Sequence, residues 1–189
     1  MIQLNSEFKT TGFAMNFDES FVEIFNFCKY YNSVKSAINA GDRVAAGIRP
    51  AQKIIADHLE TLLEYNNLSM IYKVEISKGQ PSLPRIPWIS IVRRERHVYN
   101  CLSVSVCFGR AGNGVVVGLM RPVESDGFNI KTVDRPPTLD FIDLNSNKAA
   151  TSYNSRFINP VDLKNNEISQ IKIEKLIMDS ILLEQLYMT

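Results

Sequence analysis

The chain has 189 residues, 45% hydrophobic and 22% charged, a composition that buries a full core and excludes a disordered chain. No apolar run approaches the roughly 20 residues of a membrane span, and the opening MIQLNSEFKTTGF has no basic region followed by an apolar one, so a secretory signal is not expected and a cytoplasmic location is. The net charge of +1 gives the whole molecule no polyanion-binding signature.

In chain order, Phe17, Phe21, Ile24, Phe25 and Cys28 recur at helical spacing, with Asn16 or Asp18 as N-cap. This predicts a helix over about Asp18 to Tyr31, followed by a short helical piece through Val34, Ala37 and Ile38 to Gly41. Pro50 suits the first turn of a second helix. That helix carries the stripe Ile54, Ile55, Leu59, Leu62 and Leu63 and stops at Asn66-Asn67. His58 sits beside the stripe as a core or boundary residue.

At Leu68 the period changes from 3.6 to 2. Met70, Tyr72, Val74 and Ile76 alternate with polar residues as in a half-buried strand. A proline-rich loop, Ser77 to Pro87, leads to a second strand, Trp88 to Val92. Val98 to Phe108 alternates again, Asn113-Gly114 marks a turn, and Val115 to Met120 returns. Asn129 to Val133 and Phe141 to Leu144 read as edge strands and Ser146 to Arg156 as a polar loop. Glu167 to Met188 reads as a helix apolar almost all round in its second half, which must be buried. The expected fold is α/β of the α+β kind. A curved, mostly antiparallel sheet is flanked by N-terminal helices and a C-terminal helix. All 189 residues form one domain, with a helical extension (1–49), a helix and sheet core (50–160) and the terminal helix (161–189).

The charge is unevenly placed. From Lys78 to Arg121 stand Arg85, Arg93, Arg94, Arg96 and Arg110 with one acid, Glu95, so this stretch carries +6 and the remainder −5. Screening over about 8–10 Å lets such a local field act on its own. Arginine outnumbers lysine six to one there, and its forked guanidinium suits phosphates and guanine edges. Trp88 and Tyr99 lie among these arginines, as a site for an unstacked base requires. The same residues also suit a core tryptophan beside a hydrophilic hairpin tip.

Other chemistries lack parts. There is no phosphate-binding Gly-x-x-x-x-Gly-Lys loop and no Gly-x-Ser-x-Gly elbow, and the two histidines have no metal-ligand spacing. Cys28, Cys101 and Cys107 have no paired spacing and read as reduced, buried thiols. No catalytic residue, metal or cofactor is expected. A small metal-dependent nuclease using Glu75, Lys78, Asp140 and Asp143 stays open as an alternative, as does a protein-interaction module built on the terminal helix.

The stretch Ser77-Lys-Gly-Gln-Pro-Ser-Leu-Pro-Arg-Ile-Pro-Trp88 resembles the hallmark of the N-terminal DNA-binding domain of McrB-type modification-dependent restriction proteins. Ser77, Gly79, Ile86, Pro87 and Trp88 match at the family spacing, while the family's second glycine and its asparagine are replaced by Pro81 and Ser82. The likeness continues through Tyr99, Val115 to Leu119, an aromatic near Tyr153 and the terminal helix. It implies an α/β domain that binds double-stranded DNA with modified cytosine and flips the base into a pocket. Its implied partners are an AAA+ GTPase motor and a nuclease subunit. The residues expected to bind DNA are Lys78, Gln80, Ser82, Arg85, Arg93, Arg94, Arg96, His97 and Arg110. The base pocket is expected at Trp88, Tyr99 and Ser103.

Overall fold

Asn16 begins the first helix through a reciprocal capping box. Its side chain accepts the Glu19 N–H at 2.9 Å, and the Glu19 carboxylate accepts the Asn16 N–H at 2.9 Å. In this computed structural model, which describes residues 15–34, 36–79, 82–122, 131–132, 142–145 and 153–188, α1 runs Phe17–Ser33. The helical piece expected at Val34 to Gly41 is not formed by the described residues there. Ile38 instead gives its N–H to the Tyr31 hydroxyl at 3.3 Å, and Asn39 bridges to Ser82. Those partners hold the backbone open, and a single 3-10 turn follows at Arg43–Ala45. Helix α2 spans Ile48–Tyr65 with Pro50 in its first turn, and Asn67 adopts the left-handed conformation (φ 57°) just beyond its end. His58 bridges α2 to the last helix through Glu174 at 2.6 Å.

Five strands form one open, curved, antiparallel sheet in sequence order, so the fold is α+β. They are β1 (Tyr72–Ile76), β2 (Trp88–Arg93), β3 (Ser103–Phe108), β4 (Gly114–Met120) and β5 (Val161–Lys164). Helix α3 (Gln170–Met188) closes the described chain. Three expectations need correction. Strand β3 starts five residues later than its alternation suggests, because Asn100 takes the His97 N–H at 3.0 Å and returns its own N–H to the His97 carbonyl, making 97–100 a turn. Ile142 to Leu144 is not a strand, since Ile142 and Leu144 donate to the side chains of Asp162 and Asn154 rather than to a neighbouring strand. Lys131 and Thr132 are not in a strand either; Asn129, Ile130, Val133 and Phe141 lie outside the described residues.

Side-chain alternation gives the sheet two unlike faces. Ile89, Ile91, Val104, Val106, Phe108, Val115, Val117 and Leu119 pack with all three helices in the main core. The other face carries Trp88, Val92, Cys107, Val116 and Met120, and is covered by the irregular segment bearing Ile142, Leu144 and Phe157. Burial on both faces explains why β2 to β4 are almost continuously buried. Helix α3 is less buried than its composition suggests. Its buried stripe is Ile173, Ile177, Ser180, Ile181 and Glu184, with Leu176, Met178 and Leu183 partly buried beside it, and Leu186 stays 73% exposed. At the outer edge of β1, the Val74 N–H donates to the Glu60 carboxylate of α2 at 2.7 Å.

Candidate nucleic-acid interface

The Ser77–Trp88 stretch is clasped from α2. Ser77 Oγ accepts the Trp88 N–H at 3.1 Å and Gln52 Nε2 at 2.9 Å. The Ser77 N–H donates to the Trp88 carbonyl at 3.0 Å, and Arg49 donates to the Ser77 carbonyl at 2.6 Å. Gly79 has φ +59°, and a Cβ there would run into the Ser82 carbonyl, so glycine is required. These contacts fix where β2 begins and hence where the Trp88 ring stands.

On the face away from the helices, Trp88 pairs with Cys107 and Ser90 with Ser105. Together they floor a narrow, solvent-open recess of about 10 Å³, room for about one water. Its walls are Tyr99, which reaches over from the turn after β2, and Tyr153 and Arg156 from the covering segment. The floor is polar beneath the aromatics. Ser90 Oγ lies 2.7 Å from Ser105 Oγ, which lies 3.1 Å from Ser103 Oγ. Ser103 is thus the remote end of a buried hydroxyl chain rather than part of the lining. Tyr99 is 57% exposed at the mouth. Tyr153 is half-buried, and burial first, then the neighbouring Cys107, pushes its hydroxyl up to about 12 despite the Trp88 indole donor beside it.

The residues expected to bind DNA do not form one patch. Strand β2 spans about 17 Å from Trp88 to Arg93, so Lys78, Arg85 and Arg110 sit near one end of the sheet and Arg94, Arg96 and His97 near the other. Lys78, Arg94, Arg96 and His97 are exposed. Arg85 is turned to the end of α1, where it donates to the Tyr31 carbonyl at 3.0 Å and lies 4.4 Å from that residue's ring. Arg93 points to the helical face and grips Glu184 with two bonds at 2.9 and 3.1 Å. Glu184, 2% exposed, also accepts the Tyr72 hydroxyl at 2.7 Å. Arg110 donates to Asn32 Oδ1 at 2.9 Å. Ser82 is half-buried beside Asn39. Gln80 lies outside the described residues.

Glu75 is committed to structure. Lys73 lies at 3.0 Å, His97 at 3.0 Å and the Val98 N–H at 3.4 Å. Burial pushes its carboxyl up, but Lys73, Val98 and His97 together outweigh that and hold it below the usual range. Among the described residues no three His, Cys, Asp or Glu side chains converge to hold a metal ion; Asp140 lies outside them. All three cysteines are buried and none forms a disulfide, and burial raises Cys28 strongly and Cys101 to about 11.

Three recess residues escape a sequence reading focused on arginine, Ser90, Ser105 and Arg156, and Tyr153 enters it only as the aromatic of the family likeness. The serines were signalled by their place, at period-two positions inside otherwise aliphatic strands. Tyr153 and Arg156 lie in an irregular segment with no periodicity to place them.

Titration offers a check on the recess. Tyr72, buried and bonded to Glu184, is also pushed up to about 12. An ordinary phenol titrates near 10. Both folded values are raised, so the stabilisation is complete below pH ~10 and is lost as pH rises towards 12. Phenolate absorbance should therefore show a late class of tyrosines, coincident with falling denaturant resistance, and Tyr153→Phe should shrink that class. Titration of all seven tyrosines in one early step would contradict the buried setting.

No protein-family model, curated protein or solved structure matches the chain.

Proposed function

We propose that the chain is a DNA-specificity domain of a restriction system, reading a sequence or a modified base by drawing that base out of the duplex. The observation that carries this reading is the recess walled by Tyr99 and Tyr153 over a floor of Trp88 and the hydroxyls of Ser90 and Ser105. Extruding a base costs a few kcal/mol. Stacking on aromatic side chains returns about 1–3 kcal/mol per base, and hydrogen bonds to the floor add specificity. Tyr99, largely exposed, swings aside to admit the ring. Exposed Lys78 on one flank and Arg94 and Arg96 on the other hold phosphates and set the register. The domain itself performs no catalysis in this reading. Its partners are double-stranded DNA with modified cytosine, an AAA+ GTPase motor and a nuclease subunit, as the likeness in the Ser77–Trp88 stretch suggests.

The test is a binding panel of unmodified, cytosine-modified, adenine-modified and single-stranded DNA at two salt concentrations. Replacing Arg94 and Arg96 together should weaken all duplexes alike and reduce the salt slope by about 2. Tyr99→Ala should instead erase the preference among duplexes with the slope nearly unchanged. Salt-independent binding without preference for any duplex would overturn the reading.

A further inference from the structure

We propose that Arg156 reads the acceptor edge of the inserted base, so that the recess selects a pyrimidine bearing ring carbonyl oxygen over an isosteric ring without one. This rests on the recess taking a base. Arg156 ends the 3-10 turn Asn154–Arg156, lines the recess and lies 5.4 Å from the centre of the Tyr153 ring. Its Nε and Nη2 both donate to the Arg121 carbonyl, at 3.1 and 2.7 Å. One edge of the guanidinium is thereby locked against β4, and its plane is held by the tyrosine.

Among the described residues no carboxylate pairs with Arg156, and Nη1 has no acceptor. The five ion pairs there involve other residues. Burial lowers its basicity, and only Tyr153, Cys107 and Tyr99 act against that. A half-buried cation without a carboxylate partner among the described residues gains when an acceptor arrives, and its fixed plane means little ordering is needed.

The floor does not make this distinction. In the chain Ser90–Ser105–Ser103 each hydroxyl can donate or accept, so reversing the proton order turns the Ser90 end, which lines the recess, from donor to acceptor. A guanidinium only donates. Discrimination by polarity therefore falls to Arg156, while the hydroxyls adapt to whatever the opposite edge presents. The recess holds only about 10 Å³ as it stands, so a ring enters as Tyr99 moves out, and a six-membered ring asks for less movement than a bicyclic purine.

The experiment uses duplexes with one unpaired position carrying thymine, cytosine, adenine or difluorotoluene, a thymine isostere without useful acceptors. Wild-type protein should bind the two pyrimidines about tenfold or more tightly than the isostere, the range of a hydrogen bond to a charged group. Arg156→Met should bring thymine and the isostere within about twofold while the salt slope changes little. Arg156→Gln, which keeps a donor for the Arg121 carbonyl, is the second variant should the first fail to fold. If wild-type protein prefers the unpaired site yet binds the isostere as well as thymine, or if a folded variant keeps the discrimination, Arg156 is not the reader. If wild-type protein binds none of the duplexes, the base-binding reading fails, and Arg156 with it.

Discussion

Replacing Glu184 with alanine is expected to lower folding stability by about 2–4 kcal/mol, read as a shifted urea midpoint. Glu184 is 2% exposed and satisfies both the Tyr72 hydroxyl and the Arg93 fork. Removing one partner of a fully buried ion pair costs about 3–5 kcal/mol, mostly because the other charge is stranded. The Arg93 side chain is one-third exposed, so its charge can still reach water and the expected loss extends below that range. A double-mutant cycle with Arg93→Met should show coupling above about 1 kcal/mol. Arg93→Met alone should lower stability and leave the salt slope of DNA binding in place. Arg93 therefore confounds any replacement of the whole Arg93, Arg94 and Arg96 cluster, and the informative change spares it. A stable Arg93→Met protein with a reduced salt slope would mean that Arg93 leaves Glu184 for a phosphate.

Phe108→Ala should cost about 3–5 kcal/mol, the range for emptying a buried aromatic site. The ring is fully buried, with centroids 5.3 Å from Phe21 and 5.7 Å from Phe25. Two of its neighbours belong to α1, so collapse around the cavity requires a whole helix to move. The change also reaches the opposite side of the sheet. Phe108 ends β3, whose Ser105 and Cys107 floor the recess. A looser β3 should therefore reduce preference among duplexes more than it reduces salt-dependent affinity. A loss below about 1.5 kcal/mol would show that α1 is not seated on β3 as described.

Helices α1 and α2 and strands β1, β2 and β4 were legible because each carries its own signal: a capping residue, a proline in the first turn, or a change of period. Strand β5 was not. Its four residues bury only Leu163, too little for alternation to register, and its place beside β4 depends on contacts made by the fold. Legibility of the candidate site was uneven for a related reason. Trp88 and Tyr99 stood out as aromatics among arginines, and both line the recess. The basic run looked like one surface because its residues are close in sequence. A strand turns successive side chains to opposite faces and carries them about 3.3 Å apart per residue, so Arg93 faces the helices while Trp88 faces the recess. The partner that occupies Arg93 lies 91 positions away, beyond the reach of any local pattern. Tyr153 is held by the Leu144 carbonyl and Arg156 by the Arg121 carbonyl, interactions that leave no periodic trace.

The carboxylate of Glu60 on the Val74 N–H has a consequence for how this protein meets other molecules. The next outward N–H, that of Tyr72, is taken by the Leu68 carbonyl at 2.9 Å. An arriving extended segment finds these two main-chain donors of the sheet's first margin already engaged, so zipper-like growth from that side would have to displace an acid as well as a turn. Recognition there is left to side chains, whose chemistry can be selective, rather than to the peptide backbone, which is the same in every protein.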